Sequence, residues 1–198
     1  MEVSSNYEKY TNKNPLITRI NLSFLDSIST LVQKNSPKKI LDAGCGEGFV
    51  LEHLRKDVNA DFIGLDIESN ALDIARLKNP QIDFKHASVY EQPFEDNSFD
   101  LVILSEVLEH LEEPDKALSE VSRVTKRYAL ISVPQEPIWR VGNLARLKYM
   151  RSFGNTPGHI NHWTRRAFVG LISNYFDVRE IKSPIPWTIA LCQLKEVN

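Results

Sequence analysis

The feature that most constrains this chain is an alternation: from residue 38 to residue 133, short apolar runs are separated by amphipathic stretches of about ten residues. KKILDAG reads as a strand ending in glycine, GFVLEHLRK as a helix, ADFIGLD as a strand, and SNALDIARLK as a helix opened by a serine or asparagine cap. IDFKHA, FDLVILS and YALISV continue as strands, with PDKALSEVSRV a helix before the last of them. Strands joined by helices of this length pair in parallel through right-handed crossovers, so the expected fold is α/β with helices on both faces of one sheet.

Outside that block the pattern differs. Residues 16 to 34 place Leu16, Ile20, Phe24, Ile28 and Leu31 at spacings of three and four, an amphipathic helix. After Pro134, EPIWRVGNLARLKYMRSF is basic, aromatic and partly helical, and GNTPGHINHW follows as a loop. TRRAFVGLISNYF is then a helix with a threonine cap, and DVREIK and WTIALCQL are strands. A chain of 198 residues suits one α/β domain with one sizeable core, so a single domain is expected over residues 1–198. Near-average apolar and charged fractions, 42% and 25%, exclude a disordered or fibrous protein. The first fifteen residues are polar and no apolar run reaches the roughly 18 residues of a membrane span, so a soluble, cytoplasmic protein is expected. Cys45 and Cys192 are too far apart in sequence to suggest a disulfide framework or metal-ligand spacing.

Charge is distributed unevenly. Between Pro137 and Phe176 there is no acidic residue, while Arg140, Arg146, Lys148, Arg151, Arg165 and Arg166 give +6; the net charge of −2 then leaves −8 elsewhere. A basic block on a mildly acidic protein points to an anionic partner at one face, and no nucleic-acid binding is expected.

The most specific chemistry lies at LDAGCGEGF, residues 41–49. Gly44, Gly46 and Gly48 follow a strand and open a helix, which lets the backbone turn tightly and approach a ligand at the helix N-terminus. Eighteen residues beyond Gly48, Asp66 ends the next strand, where a carboxylate can accept hydrogen bonds from two ribose hydroxyls. Phe49 occupies the last glycine position of the dinucleotide-binding motif, and Asp42 and Glu47 flank the turn with negative charge. That charge opposes a pyrophosphate and suits a nucleoside with a cationic tail.

ILDAGCGEG, with FIGLDI, PFEDNSFDLVILSEVLEHL and ALSEVSRV after it, resembles the class I S-adenosylmethionine-dependent methyltransferases, in particular the type 11 group, over roughly residues 38–133. The resemblance implies a Rossmann-like fold, a doubly wound, mostly parallel seven-stranded sheet with an antiparallel last strand, and S-adenosylmethionine as cofactor. It further implies that Asp42, Gly44 and Gly46 border the methionine part, Asp66 the ribose and Ile67 the adenine, and that Leu104 and Ser105 form the floor below the sulfonium. Two features depart from the family. Ala87, Ser88 and Val89 stand where it usually has Gly-Asp-Ala, leaving Ser88 to hydrogen-bond the adenine, and TKRY replaces the Lys-Pro-Gly-Gly turn before the fifth strand. Cys45 reads as a packed turn residue, and His53 and His86 as structural or exposed.

SEVLEHLEEP places Glu106, Glu109 and His110 on one face if the stretch is helical. Two carboxylates and an imidazole there can hold a divalent cation. The pattern is similar to a Glu-x-x-Glu-His signature of some metal-dependent O-methyltransferases, among them quinone-pathway and small-RNA methylating enzymes, in which a further histidine completes the site. His159 and His162, in the loop after the fifth strand, are candidates for that ligand or for a general base titrating near pH 6–7, an expectation from the unperturbed imidazole. The type 11 resemblance favours the metal-free version, in which a histidine acts as base. Residues 135–163 are expected to form an acceptor lid, with Trp163 holding the loop to the domain and contacting the acceptor, and Arg140, Arg146 and Arg151 binding the acceptor's charge. The expected reaction is methyl transfer, O-methylation favoured, to a small or amphiphilic anionic acceptor, free or lipid-linked. The competing reading is a non-catalytic cofactor-binding module attached to a membrane surface or protein partner through residues 137–166.

Overall fold

The computed structural model describes residues 5–145, 147 and 149–195. Seven strands form one sheet: β1 (Lys39–Ala43), β2 (Asp61–Asp66), β3 (Asp83–His86), β4 (Phe99–Ser105), β5 (Thr125–Pro134), β6 (Phe176–Lys182) and β7 (Trp187–Leu194). Their order is β3-β2-β1-β4-β5-β7-β6, with β7 antiparallel to both neighbours and every other pairing parallel. The antiparallel last strand is thus where the sequence placed it. The chain leaves β1 toward β2 on one side and returns to β4 on the other, so the order reverses between β1 and β4. A crevice opens there, beyond the carboxyl ends of the strands.

The helices are α1 (Ser5–Tyr10), α2 (Pro15–Asn35), α3 (Phe49–Leu54), α4 (Ser69–Lys78), α5 (Pro114–Val124), α6 (Ile138–Ala145) and α7 (Arg165–Ile172). Strand side chains alternate between two apolar layers. Leu41, Ala43, Val102, Leu104, Ala129, Ile131 and Ala190 pack with Leu118 and Val121 of α5 and with Phe168 and Ile172 of α7. Ile40, Leu101, Ile103, Leu130 and Ile189 pack with Phe24, Ile28 and Leu31 of α2 and with Val50 and Leu54 of α3. A smaller cluster of Leu51, Leu72, Ala75 and Phe84 seats α4 at the β2–β3 edge. Because both faces are covered, the central strands read as continuous apolar runs.

Two local expectations are corrected. The α2 stripe begins at Ile20, since Leu16 lies in the exposed first turn where Asn14 caps it, its side-chain oxygen accepting from the Leu16 amide. The residue capping α4 is Glu68, without a side-chain cap bond, and its amide donates to Asp66 Oδ1. The polar N-terminus contains α1, whose residues pack against Phe49 and close one end of the crevice. Thr164 caps α7 as expected, accepting from the Ala167 amide.

Phe24 is fully buried with its ring 4.6 Å from that of Trp187, joining α2 to the last strand. Truncation to alanine there should cost about 3–5 kcal/mol, read as a lowered midpoint in denaturant unfolding at an unchanged slope.

Candidate active site

Asp42 lies inside the sheet, flanked by Gly64 on β2 and Ile103 on β4. Its carboxylate is almost fully buried, and neither oxygen has a hydrogen-bond partner. Burial first, and the nearby Asp66 carboxylate second, push its pKa up to about 8. The following turn is anchored by the Gly44 and Cys45 amides, both donating to the Leu65 carbonyl at 2.7 and 2.9 Å. Gly44 has φ +81°, and a Cβ there would lie 2.4 Å from Val107 Cγ2, so both conformation and space require glycine. Cys45 is buried with its thiol pKa raised mainly by desolvation, which removes it as a nucleophile.

Asp66 braces this turn from β2. Its Oδ2 accepts from the Gly46 amide at 2.7 Å and its Oδ1 from the Glu68 amide at 2.9 Å. Each carboxylate oxygen keeps a lone pair for a hydroxyl. Ile67 is exposed, and its carbonyl is hydrogen-bonded by His86 Nε2 at 2.8 Å, which gives that histidine a positioning contact. Ser88 is half-buried, with Oγ accepting from the Tyr90 amide, so its hydroxyl hydrogen remains a donor. Val89 packs on the main core rather than standing free. Leu104 is fully buried beneath the crevice, and Ser105 Oγ lies 3.0 Å from Ser132 Oγ.

A pocket with about 290 Å³ of empty, partly solvent-open space is lined by Asp42, Gly44, Cys45, Phe49, Ser105 and Glu106, together with Asn6 and Tyr10 of α1. Sequence reasoning missed α1. Tyr10 stacks on Phe49 at 4.7 Å, Asn6 Nδ2 donates to Glu47 Oε2 at 2.8 Å, and Lys9 pairs with Glu106. The signal was present in NYEKY, whose tyrosines are three residues apart, and in Phe49, which replaces a motif glycine and supplies their platform.

SEVLEHLEEP does not form the helix that would align its acids. It has one 3₁₀ turn, Leu108–His110, and Glu106 before it takes φ +56°. Glu106 is thereby directed to other partners, accepting from Trp187 Nε1 at 2.6 Å through Oε1 and pairing with Lys9 through Oε2. In its place His159 joins Glu109 and His110: ligand atoms of these three lie within 4.8 Å of one another. Glu109 is buried with both oxygens unpartnered, and desolvation first and Glu106 second raise its pKa well above the ordinary range. The Glu109 carbonyl accepts the Ile160 and Asn161 amides at 2.9 and 3.1 Å, which ties the loop to this turn.

The two loop histidines separate. His159 is buried, its ring 4.8 Å from that of His110 and stacked on Trp139 at 5.8 Å. Burial and then His110 lower its pKa to about 4, so the expected titration near pH 6–7 is displaced and the imidazole stays neutral at pH 7. His162 is exposed and bonded through Nε2 to Asn155 Oδ1, outside the cluster. His110 Nδ1 lies 2.9 Å from the Gly158 carbonyl, so it carries the proton and Nε2 is left free as a ligand atom. Trp163 packs on the main core and its backbone bridges Gln135, a role in anchoring the loop rather than an observed acceptor contact. Arg140 faces Glu136 at 3.5 Å; Arg146, like Lys148, lies outside the described residues, as does the Arg151 side chain.

A sequence model of the family described as a methyltransferase domain matches residues 41–133. This segment is a class I methyltransferase domain. Its cofactor is S-adenosylmethionine. An uncharacterised protein of Methanocaldococcus jannaschii is 38% identical over 134 residues, 63% of this chain and 56% of that protein. The ubiquinone biosynthesis O-methyltransferase of Hahella chejuensis is 29% identical over 130 residues, 63% of this chain and 51% of that protein. The chain thus spans little more than half the length of these curated relatives. Its fold matches the magnesium protoporphyrin IX methyltransferase of Synechocystis, solved with bound S-adenosylhomocysteine, at a TM-score of 0.73 and 18% identity over 97% of this chain and 95% of that one.

The methyltransferase site fits its cofactor on this chain's own terms. An unpartnered buried carboxylate, Asp42, faces the pocket and suits the cationic methionine tail. Replacing Asp66 by alanine should weaken S-adenosylhomocysteine binding by about 1.5–3 kcal/mol, roughly ten- to a hundredfold by calorimetry.

Proposed function

We propose that this chain is an S-adenosylmethionine-dependent O-methyltransferase that holds a divalent cation on Glu109, His110 and His159 and methylates a hydroxyl of a small amphiphilic acceptor. One observation carries the reading. Glu109 is a buried carboxylate with neither oxygen satisfied, and the two groups within reach are imidazoles, one of them neutral at pH 7 and the other with Nε2 free. An oxygen and two nitrogens are a donor set for a divalent cation, and an unpartnered carboxylate at that depth is costly without one. The kinship with a ubiquinone biosynthesis O-methyltransferase supports a hydroxyl acceptor with an apolar body. The positive excess of residues 137–176 supports an acceptor whose oxygen ionises.

When bound, S-adenosylmethionine would supply an electrophilic methyl group, and a divalent cation held by Glu109, His110 and His159 would supply Lewis acidity toward the acceptor hydroxyl. The protein's own residues do the rest. Trp139 stacks over His159 and lies 5.8 Å from Trp187, while Trp139 Nε1 donates to Thr156 Oγ1 at 2.9 Å; this wall covers the His159 side of the cluster. Glu106, held by Trp187 and Lys9, lines the cofactor pocket and ties α1 to β7 there. Ser105 and Gly44 line the pocket that would hold the methyl donor, so alignment of donor and acceptor would come from positioning rather than covalent catalysis.

The test is transfer of labelled methyl from S-adenosylmethionine to a prenylated catechol. Chelation should abolish turnover and Mg²⁺ or Mn²⁺ should restore it, while Glu109→Gln should lose about a hundredfold in turnover with cofactor affinity intact. Full activity after exhaustive chelation would remove the cation from the account; no transfer to any hydroxyl acceptor would remove the reaction.

A further inference from the structure

We propose that residues 138–153 dock this protein on an anionic lipid bilayer. Eleven large apolar side chains are exposed among the described residues, and five of them, Ile138, Val141, Leu147, Met150 and Phe153, fall within these sixteen positions. Leu147 and Phe153 are each 79% exposed. Such a concentration on a protein surface marks a contact site, whereas isolated exposed apolar residues need no explanation.

The segment has two sides with different tasks. Trp139 and Asn143, one helical turn apart on α6, point inward: Trp139 packs on the α2 layer and His159, and the buried Asn143 amide donates to the Gly154 carbonyl at 2.9 Å. Gly154 sits so close to α6 that a Cβ there would lie 2.4 Å from the Arg140 carbonyl. The inner side of α6 is therefore already satisfied by the domain. Val141, 61% exposed, falls on the side the domain leaves uncovered.

Charge selects the occupant. Arg146, Lys148 and Arg151 are interleaved in sequence with these apolar residues, while Arg140 pairs with Glu136, and no acid occurs from Pro137 to Phe176. A protein groove would call for a compact apolar stripe with a mixed polar rim. Apolar side chains spaced singly among cations match instead the boundary of an acidic bilayer, where the apolar groups enter the acyl region and the cations meet phosphates. The inference does not depend on which acceptor is methylated or on a bound cation. It would place the Trp139–His159 wall beside the membrane surface, where an amphiphilic molecule is available.

The experiment is co-sedimentation of the full chain with vesicles of phosphatidylcholine alone and of phosphatidylcholine containing about one-third phosphatidylglycerol. Binding is expected to the acidic vesicles only, and to weaken as salt is raised. The pair Val141→Ser and Phe153→Asn, the latter chosen because asparagine tolerates the left-handed conformation at that position, should reduce it about tenfold or more with the thermal midpoint and S-adenosylhomocysteine affinity unchanged. The pair Arg146→Gln and Lys148→Gln provides an independent reading of the charge contribution should the first pair prove unstable. The proposal is overturned if the chain stays in the supernatant with both vesicles or binds both equally. It is also overturned if light scattering shows that the same substitutions dissolve a dimer, or if they leave vesicle binding intact.

Discussion

The arrangement around the crevice depends on one unfavourable group, the Asp42 carboxylate. A carboxylate held in the sheet with no donor to either oxygen costs stability once ionised, and its proximity to Asp66 adds to that cost. With its pKa raised to about 8, Asp42 keeps a proton in the folded chain at pH values where the unfolded chain has lost it. The folded state then binds more protons, so the ligand-free protein loses stability as pH rises from about 4 to about 8. A cationic ligand works against that loss by favouring the charged form. The same negative charge that disfavours a pyrophosphate at this glycine turn makes it a receptor for a nucleoside with a positive tail.

The second constraint is the left-handed residue at the end of β4. Glu106 at φ +56° breaks the path that would have carried Glu106, Glu109 and His110 along one helical face. Its carboxylate instead joins Lys9 of α1 to Trp187 of β7 across the crevice. Lys9 also lies over the Tyr10 ring, 4.4 Å from its centroid, and Tyr10 stacks on Phe49. The N-terminal helix is therefore clamped at both ends of its inner face by residues belonging to the cofactor turn and to the acceptor side. Any ligand entering the methionine end of the pocket meets Asn6 and Tyr10, which line it.

How much of this could be read beforehand follows from which interactions are local. Strand and helix identities from residue 38 to 133 were legible because doubly buried strands and amphipathic helices leave strong periodic patterns, and the glycine turn with Asp66 was legible because its spacing is fixed by one βα unit. The antiparallel β7 came through family resemblance, since nothing within WTIALCQL states its direction. What failed was non-local or conformational. The helix expected at SEVLEHLEEP rested on spacing, and the left-handed turn at Glu106 is fixed by contacts 97 and 81 residues away in sequence. Separation of His159 from His162 likewise depends on Trp139 and His110, which the loop sequence does not contain. Arg140 was read as an acceptor ligand because the basic block was counted from Pro137; Glu136, one residue earlier, is its partner.

The central claim is that Asp42 is a buried acid awaiting a cation, and its titration tests this most directly. Carbon-detected nuclear magnetic resonance of the Asp42 carboxyl in the free protein should give a pKa near 8, and saturation with S-adenosylmethionine should lower it by about 1–3 units as the opposite charge arrives. An Asp42 that titrates in the ordinary carboxylate range in the free protein, or one whose pKa does not move when the ligand binds, would contradict the account.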